Sequence, residues 1–223
     1  MVGTWVGLVV GRENRARQRR GVYAPAMSAF PLPEPPLSDG VVALRAFRDG
    51  DAAVAIAWCG DADIVRWSGA PAHPTEAEAL AWAALTDIAH SGGVLALAVV
   101  DATSGAVVGS CDIRRPFDWD PGFGEVGFLV GPEARGRGIA IRSMTLLPSY
   151  AFETLGMGRV QALAHPQNPA SGRVLERLGF RREGLLRDYR PAPAGREDRI
   201  LYSLLRAEFE QPAKRSGPRD RPL

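Results

Sequence analysis

An arginine- and glycine-rich turn, Pro132-Glu133-Ala134-Arg135-Gly136-Arg137-Gly138-Ile139-Ala140, is the stretch whose residue types could hold an anion. It follows an apolar run, Val126 to Val130, and opens a segment of helical periodicity, so the order reads strand, turn, helix N-terminus. The first turn of a helix leaves up to four backbone N–H groups without partners and carries about half a positive charge, which makes an anion the natural ligand. Gly136 and Gly138 let a phosphate come close to the backbone, and Arg135 and Arg137 add full positive charge. No Lys-Ser or Lys-Thr pair follows the glycines, and the G-x-G-x-x-G spacing is missing, which argues against the two commonest phosphate loops.

The arrangement Arg-x-x-Gly-x-Ala at Arg135, Gly138 and Ala140 resembles the acyl-coenzyme A pyrophosphate loop of the GNAT N-acetyltransferases. A second segment begins Asn168-Pro169-Ala170-Ser171 and finishes Leu178-Gly179-Phe180. It is similar to the last helix of the Rim-type branch, whose better-known members acetylate ribosomal-protein N-termini. A third piece, Arg187-Asp188-Tyr189 followed by Asp198 and Leu201-Tyr202-Ser203-Leu204-Leu205, resembles the closing strands of that branch. The likeness spans roughly Val41 to Arg206 and rests on the spacing of the three pieces together.

This resemblance implies the α/β (α+β) GNAT fold: a mixed, mostly antiparallel twisted sheet of six to seven strands with helices on both faces. It implies acetyl-CoA, or another acyl-CoA, as co-substrate, bound where two central strands splay apart, and no metal. The implied reaction is transfer of the acetyl group to a primary amine by direct attack in a ternary complex, the acceptor being a protein N-terminal α-amine or a small-molecule amine. Many GNAT enzymes protonate the departing thiolate with a Tyr of the last helix, but Leu175 occupies that position here. A non-catalytic acyl-CoA-binding sensor or partner-binding module of the same fold is therefore the alternative.

Carried over residue by residue, the resemblance assigns coenzyme contacts to Val130, Arg135, Gly136, Arg137, Gly138, Ile139, Ala140, Asn168, Ser171 and Arg173. In the Rim-type pattern Ser171 lies near the thiolate, as the candidate acid for it, and Asn168 hydrogen-bonds the coenzyme, while Arg173 could reach its 3′-phosphate. Glu125, at the start of the strand that leads into the loop, matches a Glu common in the family and is the candidate base. Because carboxylates are weak bases, it would act through water or by attracting the ammonium. Asp112, Asp118 or Asp120 could take its place, and Trp67, Asp112, Trp119 and Tyr189 are candidate walls of the acceptor pocket. An α-amine is about a tenth to a fifth neutral at pH 7, a lysine only about 0.04%, so a weak base favours the α-amine.

The elements around these residues must fit one domain, since 223 residues with 46% hydrophobic and 23% charged suit one core with tails. Residues 1–37 form an Arg/Pro-rich extension without periodicity and are expected to be disordered, 38–210 make the acyltransferase domain, and 211–223 are a disordered basic tail. Met27 is an alternative start. Each end carries a charge of +3 within a total of +2, so the domain carries −4. An acidic body disfavours nucleic acid and suits a cationic amine. No apolar run approaches the roughly 20 residues of a membrane span, so no membrane partner and a cytoplasmic location are expected; a homodimer is left open. Cys59 and Cys111 have no His or Cys at ligand spacing, which indicates neither zinc nor a disulfide.

Periodicity predicts strands over Val41–Phe47, Val94–Val100, Ala106–Ile113, Gly124–Val130, Arg159–Ala164, Phe180–Leu186 and Asp198–Leu205. Helices are expected after Asp51 with Ala53, Ile56 and Ala57 buried, near Ala62–Trp67, from a Thr75/Glu78 capping box to about His90, over Gly136–Leu155, and from an Asn168 cap to Leu178. Pro148 should kink or end the fourth of these. Pro191–Gly195 should link the last two strands.

Overall fold

Strands arise where apolar residues recur in runs or at every second position, and the computed structural model describes them within residues 30–71, 73–84, 93–116, 120, 122–192 and 195–210. They are β1 Leu37–Ser38, β2 Val42–Arg45, β3 Val94–Asp101, β4 Val107–Arg114, β5 Phe123–Val130, β6 Arg159–Ala164, β7 Arg181–Ala192 and β8 Gly195–Leu205. All eight form one sheet in the order β1-β2-β3-β4-β5-β6-β8-β7. Every neighbouring pair is antiparallel except β5 with β6. The count exceeds the expected six to seven because the two-residue β1 pairs with β2, too short to show a period.

The helices are α1 Ala52–Cys59, α2 Ala62–Ser68, α3 Glu76–Ala83, α4 Ile139–Glu153, α5 Pro169–Arg177 and α6 Arg206–Glu210. Side chains alternate between the faces of β5, so Val126, Phe128 and Val130 join the core of α4 and α5 with Met144, Leu147, Phe152 and Leu175. Leu129 turns the other way and packs with Trp58, Ile64, Ala79 and Ala83 of α1 to α3. One strand thereby carries a core on each side, as the expected two-faced architecture requires.

Three expectations need correction. On α1 the buried residues are Ala52, Ala55, Trp58 and Cys59, while Ala53 and Ala57 are exposed; the bulk of Trp58 sets which face turns inward. Helix α4 keeps nearly the expected span, and of the two outcomes expected at Pro148 the early end does not occur: the proline is buried in mid-helix beside Leu147, Ala151 and Phe152. Burial of such side chains contributes about 2 kcal/mol each and outweighs a proline cost of roughly 3 kcal/mol. The β7–β8 strands run on to Ala192 and Gly195, leaving a hairpin much longer than the periodicity suggested.

The packed chain also begins before Ser38. Phe30 is only 6% exposed within the main core, the Arg115 guanidinium lies 3.8 Å from its ring centroid, and the Tyr150 hydroxyl donates to the Pro31 carbonyl at 3.0 Å. Residues 1–29 of the N-terminal extension, the basic C-terminal tail, Leu85, Ile88, His90, Asp118 and Trp119 lie outside the described residues.

Candidate active site

Parallel pairing of β5 with β6 lasts only from Phe123–Arg159 through Gly124–Val160 to Glu125–Gln161. Beyond Glu125 each strand keeps its other neighbour, β4 for β5 and β8 for β6, and the two part. Their facing edges carry backbone groups that lack a strand partner, a state tolerated where a ligand or water can pair with them. Residues Val126–Val130 and Ala162–Ala164 line the resulting cleft of about 690 Å³.

At one end of the cleft lies the arginine–glycine turn. Gly136 and Gly138 have φ of +75° and +78°, a left-handed conformation in which an added Cβ would meet no neighbour but would strain the backbone. The helical ladder of α4 starts with the Arg142 N–H donating to the Gly138 carbonyl at 3.1 Å, so the amides of the preceding turn face no helical acceptor. Arg135 is ion-paired with Asp61 and, at 3.4 Å, with Asp63, both at the start of α2. Arg137 pairs with Asp101 at 3.2 Å. Neither arginine is a bare charge, a feature that no local motif announces.

The other end is polar. Asp112 on β4 faces Gly127 on β5, and Arg114 faces Glu125. Arg114 Nε lies 2.7 Å from Asp112, Arg114 Nη1 lies 3.9 Å from Glu125, and the Gln161 amide donates to Glu125 Oε2 at 3.0 Å. A Cβ on residue 127 would come within 2.5 Å of Asp112 Oδ1 and 3.0 Å of Arg114 Nη2, so only glycine leaves room for this ion pair. Burial pushes the Asp112 carboxyl above the usual range, against the pull of Arg114 and with help from Glu125. Burial opposes the Arg114 charge too, but Asp112 and Glu125 outweigh it and hold that guanidinium above its ordinary value.

A third wall joins α2 to the β6–α5 loop. The rings of Trp67 and His165 are 4.9 Å apart, Arg66 stacks 4.3 Å from the Trp67 ring, and Arg66 Nη2 donates to Gln167 at 2.9 Å. His165 Nδ1 accepts from the Gln167 N–H at 3.0 Å. Burial and then the charge of Arg199 lower the His165 pKa. Helix α5 begins as expected, with Asn168 Oδ1 accepting from the Ser171 N–H at 3.3 Å and Pro169 in the first turn.

Of the residues singled out above, Trp67, Asp112, Glu125, Val130, Arg135, Gly136, Gly138, Ile139, Ala140, Asn168 and Ser171 all line the cleft. Arg137 faces an adjoining pocket of about 410 Å³ with Arg142 and Arg177. Arg173 and Tyr189 line neither, because Arg173 sits on the exposed face of α5 and Tyr189 is 44% exposed on β7. Asp120 does not line the cleft, and its Oδ1 accepts from the Gly122 N–H. Arg114, Gln161, Arg190 and Arg199 also line or border the cleft; register across three strand pairs assembles them, and no local spacing could have found them.

A mostly antiparallel sheet, split at one parallel pair and fed by a glycine turn into a helix, defines an acyltransferase architecture of the GNAT type. Residues 42–181 match the family described as Acetyltransferase (GNAT) domain, and the chain belongs to this family of N-acetyltransferases. It is 30% identical over 125 residues to the uncharacterized N-acetyltransferase p20 of Bacillus licheniformis, covering 56% of this chain and 70% of that protein. It is 32% identical over 79 residues to the ribosomal protein uS5-alanine N-acetyltransferase of Escherichia coli, but that match spans only 35% of this chain and 41% of the relative. Among solved structures, RimJ of Mycobacterium smegmatis in complex with CoA-disulfide superposes with a TM-score of 0.62 at 25% identity, covering 79% of this chain and 87% of that one.

Proposed function

We propose that this protein transfers an acetyl group from acetyl-CoA to a primary amine by direct attack within the cleft. The observation that carries this reading is that one continuous cavity joins the α4 turn to the Asp112–Arg114–Glu125 cluster. The diphosphate would rest on the amides and arginines of the turn, Arg135 to Ala140, with Asn168 and Ser171 along the coenzyme and the open edge of β5 pairing with its amide-bearing arm. CoA supplies a thioester whose carbonyl carbon the amine nitrogen attacks.

Glu125 and Asp112 attract the incoming ammonium and accept its proton directly or through water; burial makes Asp112 the stronger proton acceptor than an ordinary carboxylate. Backbone N–H groups on the β5 edge stabilise the oxyanion. The C–S bond then breaks, and the thiolate takes its proton from water beside Ser171 at the α5 N-terminus. Leu175 is 1% exposed under that helix and supplies no acid, so the low basicity of a thiolate must suffice. An α-amine is the acceptor that this weak machinery suits best, as in the ribosomal-protein relatives.

Thiol release from acetyl-CoA, measured with peptides bearing free N-termini and with small amines, tests the reading. Glu125→Gln should lower kcat about 10²- to 10⁴-fold while calorimetry still registers coenzyme A. Coenzyme binding with no thiol release from any amine would establish instead an acyl-CoA-binding module without turnover.

A further inference from the structure

The acceptor end of the cleft has two poles of opposite sign. On β4 and β5 a single guanidinium, Arg114, lies between two carboxylates, Asp112 and Glu125. On the β7–β8 hairpin the ratio is reversed: Arg199 pairs with Glu197 at 2.6 Å, and Arg190 reaches the same carboxylate oxygen from 3.7 Å. One acid between two bases leaves an excess positive charge there, as one base between two acids leaves an excess negative charge opposite.

Both hairpin arginines line the cleft, although Arg199 is only 4% exposed. Arg199 is held rigidly, with Nη1 donating to the Asp198 carbonyl at 2.9 Å and Nη2 to Glu197. Arg190 is looser and keeps about half its side chain in contact with solvent. Burial first, then the charge of Arg199, weaken its hold on a proton against the pull of Glu197, and it lines the same cleft as Arg114. Two close guanidiniums sharing one carboxylate repel each other, and an anion between them relieves that repulsion. Asp188 and Arg196 on the same hairpin pair with each other at 3.2 Å and do not neutralise the pole.

We infer that the acceptor carries an anionic group, a carboxylate or a phosphate, which Arg190 and Arg199 bind while its ammonium faces Glu125 and Asp112. This rests on the acyl-transfer reading above and narrows its substrate class to amines that bear a negative charge a short distance from the nitrogen. Arg190 is the adaptable partner and sets specificity; Arg199 supports it from behind.

The test is thiol release from acetyl-CoA with a matched panel: 1,4-diaminobutane, 4-aminobutanamide, 4-aminobutanoate and 4-aminobutyl phosphate, with dipeptide amides Ala-Gln, Ala-Glu and Ala-phosphoserine alongside. The expected result is a kcat/KM about 10- to 100-fold higher for anionic members than for their neutral or cationic counterparts. Arg190→Gln should raise KM for the anionic members about tenfold more than for the neutral ones, and Arg190→Lys should restore part of the difference. The carboxylate and phosphate arms show which anion is read. Turnover of neutral amines without preference for the anionic ones, or an Arg190→Gln loss equal across the panel, overturns the inference and leaves the transferase reading standing. No thiol release from any member while coenzyme A still binds overturns both.

Discussion

Gly127 shows how much a single missing methyl group decides. Its empty Cβ position is where Asp112 and Arg114 meet, so Gly127→Ala should drive that partly buried ion pair apart, at a cost of about 1–3 kcal/mol in stability. Chemical denaturation would read the loss, and turnover should fall further than stability does, because Arg114 also steadies Glu125 at 3.9 Å. A variant with wild-type stability and turnover would mean that the pair can repack without consequence. Glu125 was recognisable from its place before the turn, whereas Arg114 and Gln161 were not. Their contribution depends on which strand lies beside β5, and register alone reveals that.

At the scale of elements, α2 and the turn before α4 are tied by charge. Asp61 caps α2 by accepting from the Ile64 N–H at 2.9 Å, and its carboxyl is held below the usual range chiefly by Arg135. On the function proposed above, a diphosphate at the turn would have to compete with Asp61 and Asp63 for Arg135. Asp61→Asn keeps an equally good cap and removes one competing charge. Coenzyme A should then bind about two- to fivefold more tightly by titration calorimetry; weaker binding would instead assign Asp61 to positioning the arginine. The strand-turn-helix order and the Asn168 cap of α5 are local features and were legible, as was the Thr75–Glu78 capping box of α3. The burial of Trp58 was not, nor which of the two outcomes expected at Pro148 would be avoided, since each depends on packing that outweighs a local preference.

Across the whole molecule, the sheet is held at its far edge by Glu183 on β7, which accepts from Arg159 on β6 at 2.9 and 2.7 Å and from the Ser203 hydroxyl on β8 at 2.6 Å. These partners, Arg159 first, lower the Glu183 pKa to about 2 from 4.5. A depressed carboxyl stabilises the fold fully above its unfolded value, and the contribution is lost as pH falls from about 4.5 toward about 2. With the pair partly in solvent, screening leaves on the order of 1 kcal/mol. Glu183→Gln should therefore lower Tm near neutral pH and flatten its decline in acid, as scanning calorimetry at several pH values would show; an unchanged acid limb would exclude this link. The chain by itself determined most of the elements, the caps of α3 and α5, the glycine turn before α4 and the place of Glu125 ahead of it, because hydrophobic period and backbone conformation act over a few residues. Only the tertiary structure decided that β5 leaves β6 after Glu125, that Phe30 belongs to the core, and that Asp112, Arg114, Arg190 and Arg199 face one cavity. Those outcomes come from strand register and from side chains far apart in sequence competing for the same space and charge, which no local pattern encodes.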